Sequence, residues 1–284
     1  MKFALFSGCK IPFYLKEYEL SSRAVLKALE VELIDLEFNC CGYPIRSYDF
    51  ESFIFSSARN LALAEKQNLN IITPCMCCFG SLKHAEYFLK KDDSLKTKVN
   101  KLLQKEDLYW HGSCEVKHLL SVLFHDVGIA SIKKQIKHPN EGLKVASSYG
   151  CHALRPGEIL NFDNPQFPTI FEDLVNVTGA ESVDWQRRLE CCGSPLWEKN
   201  NELSLDLMQK KLSSAINAEA DCLCSACTYC QIQFDTVQHA KLIKNQVEMP
   251  SILYPQLLGL SLGMSAKNLG LENNKIKINK LSNL

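Results

Sequence analysis

Cysteine is the residue that could do chemistry in this chain, because its thiolate binds soft metals and takes part in redox reactions. There are 14 cysteines in 284 residues, and ten of them write one pattern twice. The first copy is Cys9, the pair Cys40-Cys41 followed by Gly42 and Pro44, then Cys75 and Cys78. The second is Cys151, the pair Cys191-Cys192 followed by Gly193 and Pro195, then Cys227 and Cys230. An iron–sulfur cluster needs about four thiolates converging on one point. No local stretch supplies five, so each set must be gathered from three loops. Adjacent cysteines in extended backbone would point to opposite sides. A bent Cys-Cys-Gly turn instead aims both at one site, with Gly42 or Gly193 permitting a positive φ. The two-residue gaps in Cys75–Cys78 and Cys227–Cys230 place both thiols on one side of a turn.

Buried cysteines also serve as small packing residues, but a matched order in two copies points to two metal sites and to electron transfer. Zinc competes, since Cys-x-x-Cys pairs bind it, yet five thiolates are one more than a closed tetrahedral site takes. Cys224 lengthens the second set to Cys224-x-x-Cys227-x-x-Cys230, so an ordinary cubane cluster, or zinc in one half, stays open as an alternative. Cys77 and Cys222 read as bystanders. Cys114, in His111-Gly-Ser-Cys114-Glu-Val-Lys-His118, is expected to start an amphipathic helix through His125 and to pack there. The spacing leaves open whether Cys114 or Cys224 adds a ligand. His152 is the candidate for a supporting hydrogen bond to a metal-bound thiolate, or for a contact with substrate. No other catalytic residue stands out.

The surrounding elements must bring these loops together. Phe3–Phe6 reads as a short strand ending at Gly8-Cys9, Glu19–Glu30 as a helix, and Val31–Leu36 as a strand leading to Cys40. A helix over Glu51–Gln67 and a strand over Asn70–Thr73 lead to Cys75. The same order recurs: strand Lys144–Tyr149, helix Pro168–Thr178 closed by Gly179, strand Ala180–Trp185, helix Asn201–Asn217 and strand Asp221–Ser225. Alternating strands and helices build parallel α/β sheets, and such sheets hold ligands at their carboxyl edges. The expected fold is therefore an internally duplicated α/β protein of two pseudo-symmetric halves, 1–135 and 143–265, with a basic, flexible tail over 266–284. Lys90–Lys105 reads as a charged helix with a solvated face. The lysine-rich turn segment Ile132–Lys144 marks the boundary.

Composition excludes several classes. Lys+Arg and Asp+Glu are equal at 32 each, so no basic face suggests nucleic acid. No apolar run reaches the roughly 18 residues of a spanning helix. Met1–Cys9 imitates a lipoprotein signal, but its apolar stretch falls short of the roughly 7–15 residues such a signal needs. Without a signal, the thiols are expected to begin in a reducing compartment, where disulfides are disfavoured and cysteine clusters more often bind metal or do redox work. Leu253, Leu257, Leu260 and Met264 form an apolar stripe at helical spacing, followed by Lys267, Lys275, Lys277 and Lys280. That segment either packs in the core or against a partner chain, or lies on an anionic membrane surface.

Both arrays match the Cys-Cys-Gly domain, and the duplicated form resembles the B subunit of heterodisulfide reductase and its relatives. The likeness extends to Gly150-Cys151-His152-Ala-Leu-Arg-Pro156, to Gly179-Ala-Glu181 and to Leu253–Leu262. It implies that each array is the ligand set of a non-cubane [4Fe-4S] cluster held by five cysteines. Among those relatives the chain is most similar to the E-type subunit of succinate dehydrogenase and methylmenaquinol:fumarate reductase. That implies passage of electrons between menaquinol or methylmenaquinol and partner flavoprotein and iron–sulfur subunits. The place of work would be the inner membrane's periphery, on the cytoplasmic face or, by co-export with a partner, the periplasmic one. The alternative is disulfide reduction at paired clusters. No Gly-x-Gly-x-x-Gly fingerprint occurs, so the flavin belongs to a partner.

Overall fold

The computed structural model describes residues 1–241, 248–278 and 280. Among them are eight strands in two parallel sheets of four. Strands β1 (Lys2–Leu5), β2 (Glu32–Ile34), β3 (Asn70–Thr73) and β4 (Val116–His118) lie in the order β2-β1-β3-β4. Strands β5 (Lys144–Ser148), β6 (Glu181–Ser182), β7 (Cys222–Ser225) and β8 (Ser251–Leu253) repeat it as β6-β5-β7-β8. The duplicated α/β architecture is thus as expected. Chain direction reverses across the sheet between β1 and β3, and between β5 and β7. Such switch points open a crevice at the strands' carboxyl ends, and Cys9, Cys75, Cys151 and Cys227 follow these four strands.

The halves correspond in detail. Helix Phe50–Lys66 begins at Asp49, whose carboxylate accepts from Ser52 N at 3.0 Å. Helix Asn201–Asn217 begins at Asn200, whose amide oxygen accepts from Leu203 N at 3.1 Å. Both caps satisfy an amide that the first helical turn leaves free.

Three expectations need correcting, and one open choice, between core and membrane, is decided. Each sheet has a fourth strand that periodicity missed, because three residues are too few to show alternation. Val116–His118 pairs with β3 and Ser251–Leu253 with β7, so Cys114 precedes a strand rather than opening a helix. The charged helix expected over 90–105 is divided: one helix, Met76–Lys91, ends, and Asp92 caps a second, Asp93–Leu103, by accepting from Leu95 N. The apolar stripe after Leu253 forms helix Tyr254–Ser261, in which every residue is buried. It packs on helix Lys16–Ala28 of the other half, so that stripe is unavailable to a membrane. Finally, the segment from 266 is no free tail as far as it is described. Leu269, Ile276 and Ile278 are buried, Asp235 accepts from the amides of Lys275 and Ile276, and Lys280 pairs with Asp221 at 2.8 Å. Residues 279 and 281–284 of that expected tail lie outside the described residues.

The halves share one core. Helix Met76–Lys91 packs against the turn Cys151–Leu154, and the side chains of Ile11, Leu15 and Tyr18 bury Leu253. No helix among the described residues is long and apolar enough to cross a membrane.

Candidate metal centre

Backbone geometry first decides where the paired cysteines point. Gly42 and Gly193 have φ of +79° and +86°, and each opens a 3-10 turn, Tyr43–Ile45 or Ser194–Leu196, with proline in its first turn. Space as well as φ demands glycine. A Cβ at Gly42 would sit 2.9 Å from Phe53 O, and one at Gly193 2.4 Å from Ser204 O. From the other side, Cys75 and Cys227 stand in extended backbone at the start of helices Met76–Lys91 and Thr228–Gln231. Cys78 and Cys230 therefore follow one helical turn later, on the same face.

These turns gather the thiols into two arrays. Cys9 and Cys40 sulfurs lie 3.7 Å apart. Thiol contacts then run from Cys40 to Cys41, from Cys41 to Cys78 and from Cys78 to Cys75. The second array repeats the order through Cys151, Cys191, Cys192, Cys230 and Cys227. All ten sequence-predicted cysteines are thereby brought together, five and five. Two sulfurs of the first array, Cys40 and Cys75, and one of the second, Cys191, are drawn toward the thiolate. Hydrogen bonds from Cys41 and then Cys9 pull the Cys40 thiol down to about 3. Cys191 falls to about 2 through Cys151 and then Cys192, and Gly193 N donates to it at 3.4 Å. Cys41 and Cys192, beside those thiolates, are pushed up to about 12. A preformed thiolate suits metal capture, because ligands must shed their protons to bind.

The arrays meet at a buried seam that spacing alone does not reveal. Cys77, expected to be a bystander, lies 3.8 Å from Cys227 of the other array. The sulfurs of Cys75, Cys77 and Cys227 are all within 4.8 Å of one another. Only the Cys77-Cys78 doublet hinted at this. Tyr43 stacks edge-on against both Tyr229 and His152, at 5.0 Å from the latter. His152 makes no side-chain hydrogen bond among the described residues, so the supporting bond to a thiolate is not formed. Burial, and then Arg46, hold its imidazole neutral by lowering it to about 4.

His118 was not singled out by the sequence, yet it ties the seam. Its Nε2 donates to Pro74 O at 2.9 Å and to Ala226 O at 3.1 Å, the carbonyls just ahead of Cys75 and Cys227. Its Nδ1 accepts from Leu120 N, which sets the tautomer. Burial depresses this imidazole to about 4. Tyr18 also donates to Pro74 O.

The remaining cysteines stand apart from both arrays. Cys114 is buried behind a loop whose amides from His111 to Cys114 all donate to the Glu65 carboxylate. Burial pushes its thiol up to about 12. Cys222 and Cys224 are fully buried in β7. A cavity of about 400 Å³ reaches the first array, lined by Cys9, Cys40, Phe13, Phe38, Glu19, Arg23 and Asp35. A larger depression of about 740 Å³, between 184–187 and 206–218, touches no cysteine.

Sheet topology, duplicated turns and sulfur arrays define a class, and comparison agrees with it. The cysteine-rich domain model, CCG, matches twice, over residues 3–83 and 145–235. This chain belongs to that cysteine-rich domain family, in the group that contains the B subunit of heterodisulfide reductase. It is 35% identical over 283 residues to the B subunit of the ferredoxin/F(420)H(2)-dependent CoB-CoM heterodisulfide reductase of Methanosarcina acetivorans, covering 97% of this chain and 94% of that one. It is 36% identical over 284 residues to the 8-methylmenaquinol:fumarate reductase membrane anchor subunit of Wolinella succinogenes, covering 99% of each. A protein of Archaeoglobus profundus described as like the heterodisulfide reductase B subunit is 32% identical over 93% of this chain and 91% of its own. The fold recurs in the crystal structure of a hypothetical protein from Helicobacter pylori, with a TM-score of 0.76 at 19% identity. That likeness covers 98% of this chain and 52% of the other, and speaks for the fold alone.

Proposed function

We propose that this chain is the electron-transferring, quinol-facing subunit of a fumarate reductase or succinate dehydrogenase complex. Cys9, Cys40, Cys41, Cys75 and Cys78 would hold one iron–sulfur centre, and Cys151, Cys191, Cys192, Cys227 and Cys230 another. The observation that carries this reading is the meeting of two five-sulfur arrays at Cys75, Cys77 and Cys227. The donor set fits iron–sulfur ligation, being all sulfur and one thiol richer than a closed zinc site. Room fits as well: a Cβ at Gly8 would lie 2.7 Å from Cys78 Sγ. A bound centre of this type supplies reversible one-electron storage. The chain's own residues would hold two such stores side by side, at a seam where Cys75, Cys77 and Cys227 are buried.

The cavity beside Cys9 supports a quinol as donor. Quinol oxidation releases protons as well as electrons. Phe13 and Phe38 offer an apolar wall, while Glu19 and Asp35, bridged by Arg23 at 2.7 and 2.5 Å, offer carboxylates. The other participants would be flavoprotein and iron–sulfur subunits at the periphery of the inner membrane. Since Tyr254–Ser261 is buried, membrane contact would run through another surface or through a partner. Disulfide reduction remains the second reading, supported by the heterodisulfide reductase relatives and by two adjoining centres that could each take one sulfur of a disulfide. Titration of the anaerobically prepared chain with a menaquinol analogue, and separately with an organic disulfide, separates them by electron paramagnetic resonance. The quinol should reduce and perturb the centres. Perturbation by the disulfide alone would overturn the quinol reading.

A further inference from the structure

The duplicated scaffold places different side chains at one structurally matched point. Helices Phe50–Lys66 and Asn201–Asn217 correspond residue for residue, so Asn60 matches Lys211 and Asn39 matches Glu190. Both side chains do the same backbone work. Asn60 Nδ2 donates to Asn39 O at 3.3 Å, and Lys211 Nζ donates to Glu190 O at 2.6 Å. Each thereby pins the residue just before a Cys-Cys pair. One is a neutral amide, the other an amine that is 1% exposed.

A buried amine is unusual unless something offsets its desolvation. Among the described residues no carboxylate lies within salt-bridge distance of Lys211. Its neighbours are the Glu190 and Arg188 carbonyls and the ring of Trp185, 5.3 Å from Nζ. Burial is the largest influence and lowers its pKa from the ordinary amine value, while Cys230, Cys192, Cys151 and Cys191 pull the other way and favour the charge. The counter-charge of this ammonium is thus the second sulfur array. The first array has two cations nearby, but both reach solvent: Arg59 is partly exposed and paired with Glu106 at 2.7 Å, and Lys10 is half-buried over the Tyr229 ring. Paired surface charge is screened by water and salt, while a buried unpaired one is not.

We propose that Lys211 is a fixed positive charge that makes the second metal centre the more readily reduced of the two, so that electrons settle there. The inference rests on the two-centre function proposed above and adds an ordering to it. Positive charge beside a cluster stabilises its reduced, more negative state, as charge near Fe–S sites generally does. Lys211 touches neither substrate nor the reacting atoms, and acts as a positioning residue for charge.

The test is a redox titration of the anaerobically prepared full chain, read by electron paramagnetic resonance. Lys211→Gln keeps a donor toward Glu190 O without the charge. It should raise the oxidised-to-reduced ratio of one centre about tenfold at a given potential, about 59 mV for a one-electron couple, leaving the other unmoved. Lys211→Arg should keep the wild-type value. Asn60→Lys should move the other centre about tenfold in the opposite sense. Iron-loaded Lys211→Gln and Asn60→Lys proteins with both potentials unmoved would overturn the proposal. If Lys211→Gln loses iron, Asn60→Lys decides alone, supporting the proposal by a raised potential and overturning it by an unmoved one. A wild-type chain without iron would fail the two-centre reading itself, whereas iron-loaded variants with unmoved potentials fail only this inference.

Discussion

The first and second halves carry the same sheet order, the same caps and the same sulfur sequence, yet their surroundings diverge. The first array opens through Cys9 to a cavity lined by Phe13 and Asp35, and its matched polar residue is the neutral Asn60. In the second, Cys151 is half-buried and the matched residue is the cationic Lys211. At the seam, Cys77 stands where the second half has Tyr229. At the end of the fourth strand, His118 stands where the second half has Leu253. Duplication therefore preserved what shapes the arrays and changed what governs access and charge. A duplicated site can hold two cofactors of one kind while giving them different tasks.

The strongest way to break this comparison is to remove one array and ask whether the other survives. Cys192→Ser should cost the second centre, leaving about half of the wild-type iron. Cys41→Ser should cost the first, and the two variants should lose different resonance signals. If either change empties both sites, the arrays are not separate ligand sets.

Copying one half's residue into the other comes next. His118→Leu, imitating Leu253, strands the Ala226 carbonyl and leaves Pro74 O to Tyr18 alone, and should cost about 2 kcal/mol at neutral pH in a denaturant titration. The wild-type protein should also lose stability in acid through this residue. The folded imidazole titrates at about 4, below its unfolded value of about 6.5. The unfolded chain thus takes its proton first. Stability is full above about pH 6.5 and declines toward pH 4, by about 3 kcal/mol for this residue. His118→Leu should flatten that window, and an unchanged slope would assign the acid sensitivity elsewhere.

The turn glycines provide a smaller and graded comparison. Alanine at either position forces a left-handed backbone, costing about 1–3 kcal/mol. Gly193→Ala should be the worse, since its Cβ would come to 2.4 Å from a backbone carbonyl against 2.9 Å at Gly42. Equal losses in thermal denaturation would mean that φ alone decides. Smallest of all, Cys77→Ser should keep wild-type iron content and alter only the magnetic interaction between the centres. Iron loss there would make Cys77 a ligand.

Much of this was legible in the residues because the thiol pattern is written twice, and because Gly42 and Gly193 announce a turn by type. Helix Asn201–Asn217 and strand Asn70–Thr73 fall where periodicity puts them. What escaped was long-range or short. Val116–His118 and Ser251–Leu253 are strands only because β3 and β7 pair with them. Cys77 matters only because Cys227, 150 residues away, arrives beside it. The stripe at Leu253–Met264 reads first as a core or docking face and second as a membrane face. Burial by helix Lys16–Ala28 decides for the core, and no local signal encodes it. The exchange of Asn60 for Lys211 is visible in the sequence only once the two helices are aligned by the fold.

The central claim is two complete iron–sulfur centres in one chain, and iron, sulfide and zinc analysis of the anaerobically isolated full-length protein tests it most directly. The account predicts about eight iron atoms per chain, with matching sulfide and no stoichiometric zinc. Zinc in place of iron, or iron sufficient for only one centre in fully folded protein, would contradict it.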